Sequence, residues 1–209
     1  MTETIDRIRQ ELQLRRLTTI TDVVYALLLW RMFMLIPRPG VTTGEWTTLG
    51  AYLSEYADGL VIIAVGVLVT IIYWGQSNVL LGSLRKTDTK HTALSILQIF
   101  FLLLFLYSLR MGIEVEASGG ARVFESLAAA MVGITGGFAF AYAAKGRRLL
   151  REELSADEAR AIADRTLAEP LTALFTIPFA FMGPWLWEAA WLVYPLVLRL
   201  LKRRRKRPA

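Results

Sequence analysis

Arg16–Pro37 reads RLTTITDVVYALLLWRMFMLIP, an apolar run whose mouth carries Arg16, Thr18, Thr19, Thr21 and Asp22. At helical rise such a run covers most of the roughly 30 Å of hydrocarbon in a bilayer. Ionisable groups at the head of a membrane helix are costly to desolvate, so they mark an ion path or a structural network that supports one. This stretch sets the expected class: an all-α membrane protein.

The rest of the chain agrees. With 55% hydrophobic residues and a mean hydropathy of +0.43, its 209 residues are too apolar for one soluble core. After the run at 18–37, further stretches of spanning length fall at about 51–74, 92–111 and 123–144. Two more follow a polar break: Leu171–Gly183, which is short, and Pro184–Leu201, with Gly183-Pro184 as the turn between them. One kinked helix over 171–201 is the alternative, but about 30 residues exceed a normal span. The expectation is a single membrane domain, 1–209, of six transmembrane helices per subunit. Its one sizeable polar segment, the connector 146–168, carries Ser155-Ala156-Asp157-Glu158, which reads as a capping box opening a short helix.

Lys and Arg collect on the cytoplasmic side of membrane proteins. In the six-span arrangement, all of the 24 basic residues except Arg31, Arg38, Arg110 and Arg122 fall on one side, which predicts that both termini are cytoplasmic. The net charge of +6 therefore reads as anchoring against anionic lipid, including the tail Lys202–Arg207, rather than as nucleic-acid binding. The charged, amphipathic segment Thr2–Arg16 lacks a small-residue cleavage site, so the first span is expected to stay in the mature protein.

Chemistry is narrowed by what the chain lacks. It has no cysteine and one histidine, His91, so thiolate chemistry, His-based metal clusters and a Ser-His-Asp triad are excluded. Without a Gly-rich phosphate loop or acids at metal-ligand spacing, no cofactor, metal or enzymatic activity is expected. Along the first helix, spacing puts Ile20, Leu27 and Met34 close to one stripe, flanked by Trp30 and Arg31. A ring of Leu27 from several subunits would form a constriction that gates by expelling water. Spacing alone favours the plainer reading, in which Leu27 packs against neighbouring helices. Glu45, Glu55, Asp58, Glu114 and Glu116 on the other side either draw cations to a pore mouth or are simply solvated loop charges.

Three motifs resemble the lysosomal potassium channel family called transmembrane protein 175 and its bacterial homologues. The family's Arg-x-x-x-Phe-Ser-Asp is matched here by Arg16, Ile20, Thr21 and Asp22. Ile71-Ile72-Tyr73-Trp74 is similar to its Ile-Tyr-Trp. Gly183-Pro184-Trp185-Leu186 and Tyr194-Pro195-Leu196 are similar to its closing Ser-Pro-Trp-Leu and Ile-Pro-Leu. The resemblance implies a homotetrameric channel for potassium or other monovalent cations in a cell membrane, a bacterial inner membrane in this case. It has no carbonyl selectivity filter, and the first helices narrow the pore at Leu27. It also implies a structural network of Arg16, Thr21 and Asp22 near the cytoplasmic end, with Trp74 packing on it. The chain departs from the family pattern at Trp30, where a small hydroxyl residue is common, at Arg31, where an apolar one is, and at Ser77 and Asn78, which replace histidines. Four Trp30 indoles facing the lumen would fill it, and a ring of Arg31 would oppose cations unless its side chain snorkels outward. The alternative functions are a secondary transporter, whose midplane polar groups would be Thr70, Ser95, Gln98 and Thr135, or a non-conducting structural or signalling membrane protein.

Overall fold

The computed structural model describes residues 2–36, 48–114 and 118–205, and within them the regular structure is helical: α1 (Thr2–Phe33), α2 (Leu49–Gly82), α3 (Thr89–Glu114), α4 (Gly119–Ala144), α5 (Ala156–Thr176), α6 (Pro184–Trp191) and α7 (Tyr194–Arg205). Hydroxyl side chains fix several starts by accepting otherwise unpaired N–H groups of the first turn. Thr48 accepts from Ala51 N, Ser118 accepts from Ala121 N, and Ser155 forms the expected capping box with Glu158. In that box the Ser155 hydroxyl and backbone N–H both donate to Glu158, which holds its exposed carboxyl below the usual carboxylate range.

Three helical stretches among the described residues are long and apolar enough to cross a membrane: Gly59–Gly82, Thr89–Met111 and Gly119–Arg147. The six expected spans need correction at their end. Leu171–Gly183 is not a span of its own, and 146–168 is not a mere connector, because α5 runs unbroken from Ala156 through both to Thr176. A 3₁₀ turn, Ile177–Phe181, extends it. This composite runs antiparallel to α4 along nearly its whole length. Ala159 and Ala163 share a surface cavity with Ala141 and Ala144, Pro170 lies on Gly133, Thr176 meets Ser126, and Ala180 O accepts from Arg122 Nε. Charged residues in its first turns hide this helix from hydropathy, while its outer face, Leu167, Leu171, Leu174 and Phe175, is apolar and exposed.

Pro184–Leu201 is not continuous either, nor is 171–201 one kinked helix. Gly183 takes φ 118°, a backbone state that side chains with a Cβ disfavour, and Pro184 starts α6 in the first turn, where its missing N–H costs nothing. The helix stops after eight residues, and Tyr194-Pro195 opens α7.

α4 is the central pillar. Ala128, Ala129, Ala130, Val132 and Gly133 are buried along it, and small residues of this kind let neighbouring backbones approach closely. A Cβ on Gly133 would stand 2.5 Å from Pro170 Cδ. At one end of the bundle the loops are stitched together. Leu84 and Leu150 form an antiparallel bridge, Arg85 N donates to Leu149 O at 2.8 Å and Arg151 N to Ser83 O at 3.0 Å, and Arg85 pairs with Glu152. The N-terminal half of α1 joins this end, where Gln13 Nε2 donates to Thr92 Oγ1 at 3.2 Å. Asp88 secures the entry to α3 by accepting from His91 N at 2.9 Å and from Tyr142 OH at 2.8 Å. Burial opposes its charge, yet these two bonds and the nearby Arg148 outweigh it and hold the carboxyl below its ordinary range. Three of the basic segments expected on one side of the membrane thus gather at one end of the fold.

Candidate site along the first helix

α1 has two sharply different faces. Leu17, Thr21, Tyr25, Leu28 and Met32 are buried against the bundle. On the other side Ile5, Ile8, Leu12, Ile20, Val23, Leu27, Trp30 and Phe33 are exposed, with Leu27 at 60% and Trp30 at 58%. At about 100° per residue these eight fall within one broad stripe, largely apolar, which exposed Arg9, Arg16 and Thr19 share. The expected stripe of Ile20 and Leu27 is therefore an unpartnered surface of the subunit, while Met34 is half-buried at its upper end. Trp30 lies on the stripe itself and its ring stacks with Phe33 at 6.3 Å, and Arg31 is exposed at the edge.

The expected network divides. Asp22 and Trp74 meet: the indole Nε1 donates to Asp22 Oδ1 at 2.9 Å, joining α1 to α2 beside the stripe. Arg16 does not pair with Asp22, because six residues along a helix separate them by about 9 Å in height and about 120° in direction. It is exposed, in line with Leu12 and Ile20. Thr21 faces inward and spends its hydroxyl on Leu17 O of its own helix at 2.8 Å, so it is not part of an Asp22 network. Of the acids expected at the far mouth, Glu55 is exposed; Glu45 and Glu116, together with the side chains of Asp58 and Glu114, lie outside the described residues.

Removing the indole donor should be measurable. Trp74→Phe is expected to cost about 1 kcal/mol of stability, the usual net worth of one hydrogen bond at a partly exposed site. Thermal unfolding of Trp74→Phe, Asp22→Ala and the double variant in detergent tests it; strictly additive losses would show that the two side chains are not coupled.

In the interior, polar side chains from different helices come together in pairs that spacing along one helix does not show. Tyr25 OH and Ser77 Oγ share a hydrogen bond of 2.9 Å beside a small void of about 20 Å³ that Thr21, His91, Ser95 and Gln98 also line. His91 Nδ1 lies 2.9 Å from Thr87 Oγ1. Ser126 receives a bond from Trp187 Nε1 at 3.0 Å and shares another with Thr176 Oγ1. More consequential is Glu169, whose side chain is hydrogen-bonded to that of Gln76 and whose Oε1 is buried without a partner. The capping box gave the missing signal. A helix counted from Ser155 brings Ile162, Thr166, Glu169, Ala173 and Thr176 onto one face, whereas a span begun at 171 leaves Glu169 outside.

No family model and no curated protein sequence matches this chain. The site consequently defines a class at the level of architecture: a helical bundle with membrane-length helices and an unpartnered apolar face on α1.

Proposed function

We propose that the protein is a potassium-permeable cation channel in which the α1 helices of four copies surround a central axis and Leu27 forms a hydrophobic constriction. One observation carries this reading. The exposed stripe of α1 is longer than a bilayer is thick, since from Ile5 to Phe33 it measures about 42 Å against roughly 30 Å of hydrocarbon. Ile5, Ile8 and Leu12 lie among Arg7, Arg9, Arg15 and Arg16, a segment too charged for the hydrocarbon, yet they are as exposed as Leu27. Lipid tails do not cover an apolar face there. A second α1 does, and the same contact continued upward brings Leu27 of each copy toward one axis. The motifs shared with the potassium channel family favour the same helix and the same residue.

In this arrangement α1 to α4, the composite of α5 and its 3₁₀ turn, and the returning pair α6 and α7 supply the six crossings. Leu27 carries no group to replace an ion's hydration shell, so the constriction blocks by dewetting rather than by selective coordination. The Asp22–Trp74 bond fixes the rotation of α1 on α2 and hence which face meets the axis. Trp30 favours the non-conducting alternative, because an indole on the stripe one turn above Leu27 adds bulk to the same lumen.

Disulfide trapping tests the assembly. Cysteine placed at Leu27 is expected to crosslink efficiently between copies, with the copper-oxidised protein running as a dimer, while cysteine at half-buried Leu29 is not. Crosslinking at Leu29 alone would put another face on the axis. Single-channel recording in potassium and sodium gradients then separates the channel from the non-conducting reading, which predicts assembly without current.

A further inference from the structure

Glu169 stands apart from the α1 stripe and has no role in the proposed constriction. Its position follows from the packing of its neighbour, since Pro170 rests on Gly133, the midpoint of the membrane-length stretch Gly119–Arg147. The carboxylate is therefore held at mid-height of the bundle, on the inner side of α5. One oxygen is engaged through the Gln76 side chain and Oε1 has no partner. Among the described residues no Lys or Arg forms an ion pair with it.

The groups facing it are few. α1 supplies Tyr25, α2 supplies Tyr73 and Gln76, and α7 supplies Tyr194. On α5 itself Arg165 lies one turn away and is exposed, and Asp164 has a buried Oδ2 without a partner. α4 presents Gly133 here, and its ionisable Arg122, Glu125 and Tyr142 are at least eight residues, or about 12 Å, away along the helix. A phenol can donate to a carboxylate but brings no positive charge. An ionised carboxylate in a low-dielectric interior without a counter-charge is strongly disfavoured, and such a group takes up a proton instead.

A route for that proton is present. A cavity of about 160 Å³ lies between α2 and α5, lined by Gly75, Gln76, Val79, Ile162, Arg165 and Thr166. Gln76 belongs both to its wall and to the hydrogen bond with Glu169. When the Gln76 side chain swings aside, water from this cavity reaches the carboxyl and exchanges a proton with it directly.

We propose that Glu169 is a proton-binding site reached through the α2–α5 cavity, and that proton release from it loosens the packing of α5 on α7 and its tie to Gln76 of α2. The bookkeeping is simple: the neutral acid loses H⁺ to water, and the carboxylate formed must draw in water or rotate toward Arg165. A fold that binds this proton where the unfolded chain does not is most stable at low pH. That advantage is lost as pH rises above the ordinary carboxylate range. The proposal does not depend on conduction.

Infrared spectroscopy of the full chain in lipid vesicles tests it. Wild type is expected to show a protonated-carboxyl C=O band at neutral pH that shifts in D₂O. Glu169→Gln should lose one component of that band, and Glu125→Gln should retain the same component. In thermal melts wild type should lose stability as pH rises, whereas Glu169→Gln, which imitates the neutral acid, should lose less. Gly75 has open space around the position of a Cβ, so Gly75→Leu can fill the cavity and should slow deuterium exchange of the band. Absence of a protonated-carboxyl band from the wild type at neutral pH overturns the proposal whatever the variants do. An unchanged band in Glu169→Gln, or parallel loss of stability with pH in both proteins, does so as well. Exchange that Gly75→Leu leaves at the wild-type rate removes the cavity as the route.

Discussion

Leu27→Asn is expected to raise resting potassium flux about tenfold, which corresponds to a barrier lowered by about 1.4 kcal/mol. Leu27 is 60% exposed on the isolated subunit and shares its face with Ile20, Val23 and Trp30. In the proposed tetramer, four leucines around the axis leave a passage that water vacates, because the apolar wall returns no hydrogen bonds. Four asparagines offer both donors and acceptors at the same height, so water and a hydrated cation persist there. The side chain is nearly isosteric, and its site is outside the subunit core, so the fold should survive. Flux into vesicles measured beside the oligomeric state separates gating from assembly. Unchanged flux from an intact tetramer would place the barrier elsewhere, with Trp30 the next residue on the stripe.

The second large effect concerns α4 and α5. Gly133→Leu should destabilise the protein by about 3 kcal/mol, the upper end of the usual cost of overpacking. The neighbour it meets is a proline ring at 2.5 Å and the Pro170 backbone nitrogen at 3.0 Å from an ideal Cβ. A flexible side chain could swing aside; a ring closed onto its own backbone cannot. The strain must then pass to α5, which also carries Thr172 and Thr176 into the core and Thr176 onto Ser126. For a chain of this size the melting temperature should fall by roughly 6–12 °C. Gly133→Ala should fall between the two. A Gly133→Leu protein that melts with wild type would mean that α4 and α5 do not approach as closely as Pro170 requires.

Sequence was informative where a single periodicity or a local chemical rule decides the outcome. Hydropathy located the stretches that become α2, α3 and α4, because a continuous apolar run of about 20 residues has few other stable uses. The capping box at Ser155 and the turn at Gly183-Pro184 were legible for a similar reason: each is closed within four residues, and nothing distant competes. Helical spacing alone put Ile20 and Leu27 on one face of α1. Hydropathy failed for α5. A helix that begins in a charged loop and ends in an apolar core averages to neither, so its continuity through Glu169 and Pro170 does not show in a window of residues.

What the tertiary structure decided is which side chains meet. Arg16, Thr21 and Asp22 are close in sequence, yet helical geometry sends Thr21 inward, Arg16 to the open stripe and Asp22 toward Trp74, 52 residues away. Glu169 is polar in any reading of the chain. Only the packing of Pro170 on Gly133, with the Gln76 side chain hydrogen-bonded to it, makes it a half-buried residue with one buried, unpartnered oxygen. Local sequence fixes backbone dihedrals and the face each residue occupies, because those depend on near neighbours. Burial and hydrogen-bond pairing depend on what other helices bring to that face, and that is a property of the assembled bundle.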